Sequence, residues 1–300
     1  MKYKLAFAMI CLSVTSLLTG CNVSSFGEAV GSRGSAAPAN ASARTSASPA
    51  DAAASDAQPG LSLAGEFDNG KALQAMYGSY NADLKRAQWK PTKGELDRFN
   101  FYNNIQTLYS KAYFTKQFQQ NGTDRYFVIT RTAPSKADCA DCVPVLGGAV
   151  FTKVGEEWRL DSQSKALTRT GLHGELSGGR TIKLSADKTG VLFHWKAVND
   201  GIAEEGDLLI AETSAGLKEV FSMVTGGNNR KQCEDTGRYE DDPSCWAYSS
   251  KLEFVTNPES KMADVRVTTT GNKPVENDEI VPIKETKRFV YSENAYRPVR

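Results

Sequence analysis

The segment from Asn22 to Gly60 is the feature that most limits what this chain can fold into. It consists mainly of Ala, Ser, Gly, Pro, Thr and Asp, and Phe26 is its only aromatic residue. Because it carries so few large apolar side chains, it cannot bury enough surface to offset the entropy of ordering its backbone. A flexible coil of this length has a root-mean-square reach of about 35 Å. We therefore interpret residues 21–60 as an Ala/Ser-rich tether and expect the folded domain within residues 61–300.

The chain begins with a short positive end that is followed by an apolar run. Lys2 and Lys4 precede residues 5–18, which are mostly apolar, and the run stops at Gly20. A membrane-spanning helix needs about 20 predominantly apolar residues, so this run is too short. A positive end, a short apolar core and a small residue near its end are typical of an export signal. We predict that residues 1–20 are a signal peptide that is removed.

The signal ends in Leu18-Thr19-Gly20-Cys21, whereas an ordinary secretory signal would end in an Ala-x-Ala-like site. This tetrapeptide resembles the lipobox of bacterial lipoproteins. The resemblance implies that the Cys21 thiol receives a diacylglyceryl group and that the signal is cut before Cys21. The new amino group would then usually gain a third acyl chain, such as palmitate. Two or more acyl chains anchor a protein stably, whereas one chain binds a bilayer only marginally. The alternative is an incidental cysteine beside a plain signal peptide.

The same resemblance carries an expectation about localisation. In that family an Asp after the lipidated cysteine retains the protein at the inner membrane, and here Asn22 occupies that position. We expect a lipid-anchored protein of the bacterial cell envelope, at the outer membrane of a Gram-negative host and either facing the periplasm or exposed at the surface. Cys11 lies inside the removed segment and plays no part.

The net charge argues against a nucleic-acid partner. The formal charge is +1, and removal of Lys2 and Lys4 with the signal makes it −1 before acylation. Domains that bind DNA or RNA are strongly basic, and no Lys/Arg stripe interleaved with aromatic residues is present here. We expect the partners to be membrane lipid, through acylated Cys21, and an envelope protein or cell-surface ligand.

Residues 61–122 place apolar side chains at three- and four-residue spacing, which is the period of a helix face. The spacing predicts a first helix over about residues 69–88, with an apolar face of Leu73, Met76, Tyr77, Tyr80 and Leu84. Thr92 and Glu95 then form a capping-box pattern, which predicts the start of a second helix running to about residue 118. We expect a helical pair as the N-terminal part of the folded domain.

From residue 123 the pattern changes to short β-rich runs that are separated by turn residues. These runs cover residues 126–131, 149–154, 158–160, 181–185 and 191–196, with further strands near 246–254 and 265–267 and a closing hairpin over 289–296. Turn residues at 155–156, 187–190 and 214–216 indicate hairpins. We therefore predict an α+β fold, in which the N-terminal helical pair packs on a mainly antiparallel β-sheet meander over residues 123–300.

Four cysteines remain in the domain: Cys139, Cys142, Cys233 and Cys245. An even number in an oxidising compartment favours disulfides. Three pairings are open, and local pairing of Cys139 with Cys142 and of Cys233 with Cys245 is the simplest. Loop-closure entropy gives about 3 kcal/mol for the longer loop and about 2 kcal/mol for the shorter one.

The Cys139/Cys142 pair also permits other chemistry. A Cys-x-x-Cys pair at a helix start is typical of redox proteins, but these cysteines lead directly into a predicted strand rather than a βαβ unit. Val143 stands where a c-type haem site requires histidine. Zinc held by Cys139 and Cys142 with His173 and His194 is a further alternative, but nothing in the sequence fixes their distances, and we expect His194 to lie against the sheet.

The remaining acidic clusters give no clear site. Calcium prefers oxygen ligands, but Glu234, Asp235, Glu240, Asp241 and Asp242 do not match the EF-hand spacing and have basic neighbours. The same holds for Asp200, Glu204, Glu205 and Asp207. Because no nucleophile elbow, P-loop or zinc-protease motif is present, we predict no catalytic residue, metal or cofactor. The leading hypothesis is a non-enzymatic binding or scaffolding domain; the alternative is a periplasmic enzyme or thiol-disulfide protein that uses Cys139/Cys142.

Overall fold

The computed structural model of the protein describes residues 61–98, 107–133, 143–169, 175–199, 201–237, 242–258, 260, 262–275 and 279–299. The predicted signal peptide, the tether and the lipidation site Cys21 lie outside the described residues. So do Cys139, Cys142 and His173. In the part of the chain that is described, no helix is long and apolar enough to cross a membrane.

Within the described ranges, sixteen strands form two antiparallel sheets. The seven-stranded sheet contains β1 (Ser62–Ala64), β2 (Tyr80–Asn81), β3 (Arg86–Trp89), β4 (Leu108–Gln120), β5 (Thr123–Ala133), β6 (Val145–Val154) and β7 (Glu157–Arg169), in the order β1-β7-β6-β5-β4-β3-β2. The nine-stranded sheet contains β8 (Glu175–Leu176), β9 (Arg180–Ser185), β10 (Lys188–Asn199), β11 (Ile202–Thr213), β12 (Gly216–Asn228), β13 (Ala247–Val255), β14 (Asp264–Pro274), β15 (Ile280–Ser292) and β16 (Ala295–Pro298). Its order is β16-β15-β14-β13-β12-β11-β10-β8, and β9 also pairs with β10.

In the described part of the chain, three short helices accompany the sheets: α1 (Asn69–Tyr77), α2 (Lys93–Arg98) and α3 (Arg230–Asp235). The Asp68 carboxylate caps the start of α1 by accepting a hydrogen bond from the Lys71 amide at 2.9 Å. The Thr92/Glu95 capping box is present at α2, where Thr92 N donates to Glu95 Oε2 at 2.7 Å and Glu95 N donates to Thr92 Oγ1 at 3.3 Å.

The predicted α+β fold with an N-terminal helical pair is wrong, because the domain is mostly β. The first helix ends at Tyr77 rather than near residue 88. Gly78 follows in the left-handed conformation, with φ 74°, which ends a helix and which glycine adopts without steric cost. The chain then enters β2 and β3, and Leu84, expected on the helix face, is 50% exposed.

The second predicted helix is also wrong beyond α2. Residues 108–120 form β4, which pairs with β5 from Tyr109↔Ala133 to Gln120↔Thr123. This stretch is rich in aromatic residues, which favour strands, and pairing with a distant strand overrides its helix-like spacing. The pairing is antiparallel throughout, but the predicted single meander over residues 123–300 is also wrong, because β5, β6 and β7 belong to the seven-stranded sheet, whereas β10 to β16 pair in sequence order in the other.

The apolar side chains form layers. One cluster lies between the sheets, where Phe127 and Val150 meet Phe193 and Leu208. On the outer face of the seven-stranded sheet, α1 covers a second cluster, to which Leu63 of the edge strand β1 contributes. A third cluster, the inner core, lies on the other face of the nine-stranded sheet. It joins side chains from β9 to β16, including Leu184, Leu192, Phe221, Val265 and Tyr296, so the sheet must curl around it.

A curled meander places its connections alternately at two ends. The turn end carries the β9–β10, β11–β12 and β15–β16 turns, at residues 186–187, 214–215 and 293–294, together with the β13–β14 connection. The loop end carries the β10–β11 turn, the β14–β15 connection and the long β12–β13 connection, residues 229–246. Since consecutive antiparallel strands reverse direction, connections that are distant in sequence gather at each end.

Candidate binding site at the loop end

The β12–β13 connection differs from the two-residue turns of the same sheet. Residues 229–246 contain α3 and both cysteines that the structure describes. Long connections in a compact domain are uncommon, and many of them carry function on a rigid scaffold. This connection is therefore a strong candidate for a functional site.

Asn229 holds the two ends of this connection together. Its backbone N–H donates to the Trp246 carbonyl at 3.2 Å, and its Oδ1 accepts from the Trp246 amide at 2.8 Å. Its Nδ2 donates to the Ser244 carbonyl at 2.9 Å. A carboxamide offers a donor and an acceptor in one planar group, so this single buried side chain binds two backbone groups of the segment that leads into β13. The result is a fixed position for Trp246.

A disulfide between Cys233 and Cys245 clamps α3 to the start of β13. The S–S distance is 2.00 Å and the Cα–Cα distance is 6.1 Å. The prediction of a disulfide in the domain is thus confirmed for this pair, whereas Cys139 and Cys142 lie outside the described residues. The closed loop spans a sequence separation of 12, and closing such a loop stabilises the folded state by about 3 kcal/mol in the chain-entropy account.

Trp246 and Tyr248 lie side by side over a glycine. Their ring centroids are 6.0 Å apart at an interplanar angle of 22°. A Cβ at Gly227 would lie 3.2 Å from an atom of each ring, so the absence of a side chain there is what admits both. The Lys273 ammonium lies 5.1 Å from the Tyr248 ring centroid. Burial, and secondarily the charge of Glu204, raise the pKa of Tyr248, so its phenol stays protonated.

Two depressions flank the half-buried Trp246. The larger, about 600 Å³, is lined mainly by apolar side chains with a polar margin: Ile202, Pro243, Trp246, Pro274 and Ile280, with Asn229, Gln232 and Ser244. The smaller, about 210 Å³, brings Arg230, Glu234 and Asn272 beside the disulfide. Trp246 lines both depressions. The site therefore has an apolar side at the larger depression and a polar, charged side at the smaller one.

The structure places His194 on β10, between two carboxylates of β11. His194 Nδ1 lies 3.3 Å from Asp207 Oδ1, and His194 Nε2 lies 3.5 Å from Glu205 Oε2. Lys196 continues this row, with its ammonium 3.4 Å from Glu205. The His194 side chain is 32% exposed, and both ring nitrogens have carboxylate partners. His194 therefore belongs to a cross-strand ion-pair row on the sheet, and the zinc alternative for it rests on residues that are not described.

Among the described residues, the acidic side chains singled out in the sequence form no metal site. Glu234 and Asp235 lie on α3, and Asp242 Oδ1 accepts from the Ser244 amide at 2.8 Å, which shapes the loop. Asp200, Glu240 and Asp241 lie outside the described residues. Across the described ranges, no group of three or more His, Cys, Asp or Glu side chains is placed to hold a metal ion.

The sequence pattern predicted nothing for Asn229 and placed Trp246 only at the start of a strand near 246–254. In the structure β13 begins one residue later, and Trp246 is half-buried in the connection before it. A signal was present in Gly226-Gly227-Asn228-Asn229, since glycines inside a strand pattern mark close approach by another group.

No family model, curated protein or solved structure matches this chain. What the fold and the loop end define is a two-sheet antiparallel β domain that displays one tryptophan on a disulfide-clamped connection.

Proposed function

We propose that this protein is a lipid-anchored extracytoplasmic lipoprotein whose β-rich domain is a non-enzymatic binding module. The anchor and its outer-membrane location are supported by Leu18-Thr19-Gly20-Cys21, by Asn22 and by the tether that follows. The observation that carries the binding role is the position of Trp246. It is held half-buried between two depressions, at the base of a loop that a disulfide closes.

The energetics of recognition favour such a residue as an anchor for a partner. Tryptophan combines a large apolar surface with one hydrogen-bond donor, and binding energy at interfaces concentrates in residues of this kind. The hydrogen bonds of Asn229 and the disulfide fix Trp246 before any partner arrives. A pre-ordered side chain loses little entropy on binding, so more of its contact energy appears as affinity.

The two sides of Trp246 indicate what a partner must present. Ile202, Pro243, Pro274 and Ile280 form the apolar side, and Arg230 and Glu234 border the other. An envelope protein or cell-surface ligand with an exposed apolar side chain beside polar groups complements this surface. The described hydrogen bonds of Asn229 and Asp242 hold the loop itself, which supports a scaffold for recognition rather than groups poised for a reaction.

Site-specific photocrosslinking in intact cells tests this role. A benzophenone amino acid replaces exposed Pro243 in the full chain, and the matched control carries it at exposed Glu156, in the β6–β7 turn of the seven-stranded sheet. We expect an envelope adduct from position 243, absent from position 156, that disappears when Trp246→Ala is added. Adducts that are identical from both positions, or that persist without Trp246, would overturn the assignment.

A further inference from the structure

A second cleft lies at the turn end of the nine-stranded sheet, away from Trp246. Its volume is about 640 Å³, and its lining includes Lys188, Ser214, Ser260, Tyr291, Glu293 and Asn294. These residues come from three hairpins and the β13–β14 connection. They meet because alternate turns of a meander share an end and because the sheet curls.

One hydrogen bond ties two of these turns together. Ser214 Oγ donates to Asn294 Oδ1 at 3.1 Å across a sequence separation of 80. The Tyr291 hydroxyl donates to the same oxygen at 3.4 Å. Oδ1 accepts both hydrogen bonds. The Nδ2 group of the same side chain is therefore the group that can donate a hydrogen bond to a ligand. The cleft wall is thus ordered before a ligand binds.

The β15–β16 turn has an unusual backbone for its sequence. Glu293 and Asn294 both have positive φ, 51° and 66°. Two such residues form the hairpin turn that matches strand twist, but glycine, asparagine and aspartate are its usual occupants. Glutamate is not favoured in this backbone conformation. Residues that are held in sparsely populated backbone regions cluster at ligand sites. Here the turn presents the Glu293 side chain to the cleft.

The charge and polarity of the lining narrow the ligand class. Lys188 and Glu293 contribute one cation and one anion, so the cleft has no bias toward a highly charged ligand. Ser214, Ser260 and Ser292 supply hydroxyls that both donate and accept hydrogen bonds. The half-buried Tyr291 ring adds apolar surface among these polar groups.

We propose that this cleft is a second binding site, which takes a neutral oligosaccharide. A sugar ring carries hydroxyls around its edge and C–H groups on its faces. The edge matches the serine hydroxyls and the Asn294 carboxamide, and a face matches the Tyr291 ring. The volume falls within the range of about 300 to 1,000 Å³ that is usual for small-molecule sites. This cleft shares no lining residue with the depressions at the loop end. The oligosaccharide proposal can therefore hold or fail independently of the proposed function.

The test uses the purified full chain and three neutral trisaccharides: chitotriose, maltotriose and cellotriose. Binding is measured by calorimetry and by NMR shifts of the Ser214, Ser292 and Asn294 amides, at sugar concentrations up to about 10 mM, which reaches millimolar affinities. Asn294→Gly removes the side-chain carboxamide but keeps the backbone N–H, and glycine adopts the positive φ without strain. Lys188→Met removes a donor but keeps the aliphatic stem.

We expect at least one trisaccharide to bind and to shift those amides. Asn294→Gly should weaken it about tenfold, the loss expected when about one hydrogen bond is removed. Lys188→Met should also weaken it, whereas Trp246→Ala at the other end should leave the affinity unchanged. If none of the three sugars binds, or if both cleft variants bind as tightly as the wild type, the proposal is wrong.

Discussion

Arg125 and Glu212 join the two sheets through an ion pair. Arg125 Nη1 on β5 lies 2.9 Å from Glu212 Oε2 on β11, and Arg125 Nη2 lies 3.0 Å from Asp161 on β7. The Arg125 side chain is only 9% exposed, and both carboxylates are largely covered. Ser162 adds a hydrogen bond to Glu212 at 2.9 Å. An ion-pair network therefore joins the two sheets at the margin of the apolar cluster that lies between them.

Arg125→Ala is predicted to destabilise the domain strongly. Removing one member of a buried pair leaves its partners as uncompensated charges, which costs about 3 to 5 kcal/mol. Arg159→Ala is the matched control, because Arg159 pairs with the same Asp161 at 3.1 Å but is 56% exposed. Such an exposed pair contributes about 0 to 1 kcal/mol. Urea unfolding of both variants measures the difference, and equal losses would contradict the assigned role of Arg125.

The Cys233–Cys245 disulfide is predicted to stabilise the folded domain by about 3 kcal/mol, since it closes a loop in the unfolded chain. The double variant Cys233→Ser/Cys245→Ser should lose that free energy of unfolding in urea. It should also lose the adduct from position 243, because α3 is no longer tied to the base of the loop. Ser249→Ala, an exposed change on the neighbouring strand, serves as the control. Unchanged stability in the double variant would show that the loop is ordered without its clamp.

Glu219 is predicted to make stability fall as the pH rises from acid toward neutral. Burial raises the pKa of Glu219, and a hydrogen bond from Thr168 offsets this only in part. The folded state therefore keeps the proton at a pH where the unfolded state has lost it. Stability decreases between the unfolded pKa, about 4.3, and the raised folded pKa.

Glu219→Gln should abolish that dependence and stabilise the domain at pH 7, while below about pH 4 the two proteins should be similarly stable because both states of the wild type are protonated. Glu253→Gln provides a contrast of opposite sign, since hydrogen bonding and charge from Lys251 lower the pKa of Glu253. Urea unfolding across the pH range measures both. A Glu219→Gln variant less stable than wild type at pH 7 would contradict the stated cause.

Gly227→Ala is predicted to disturb the Trp246–Tyr248 pair. The added methyl group would press on both rings at 3.2 Å, so the rings must move apart. The near-ultraviolet circular dichroism should change, and crosslinking from position 243 should fall. Gly178→Ala is the control, because no atom lies within 4 Å of the added methyl group there. If the two variants give the same spectrum, the close approach at Gly227 does not set the ring geometry.

The sequence was most informative where structure is decided locally. The capping box at Thr92 and the turns at Gly155 and Ser214 depend on neighbouring residues, and the structure contains all three. The strand β4 could not be predicted, because its pairing with β5 and not its own spacing decides its conformation.

The two candidate sites also combine features that are decided locally with features that depend on long-range packing. The spacing of Cys233 and Cys245 pointed to the disulfide, but only the fold shows that it supports Trp246. The meeting of Ser214 with Asn294 depends on the curl of the nine-stranded sheet, which the sequence does not encode as a local pattern. Long-range packing therefore accounts for most of what the sequence could not supply.

The proposal of a tethered module rests on acylation of Cys21, since the oxidising compartment and the envelope partner both follow from it. Metabolic labelling of intact cells with an alkyne palmitate analogue measures this directly. The account predicts that the wild-type chain carries the label and that Cys21→Ser, otherwise identical, carries none. An unlabelled wild-type chain, or equal labelling of the two, would contradict it.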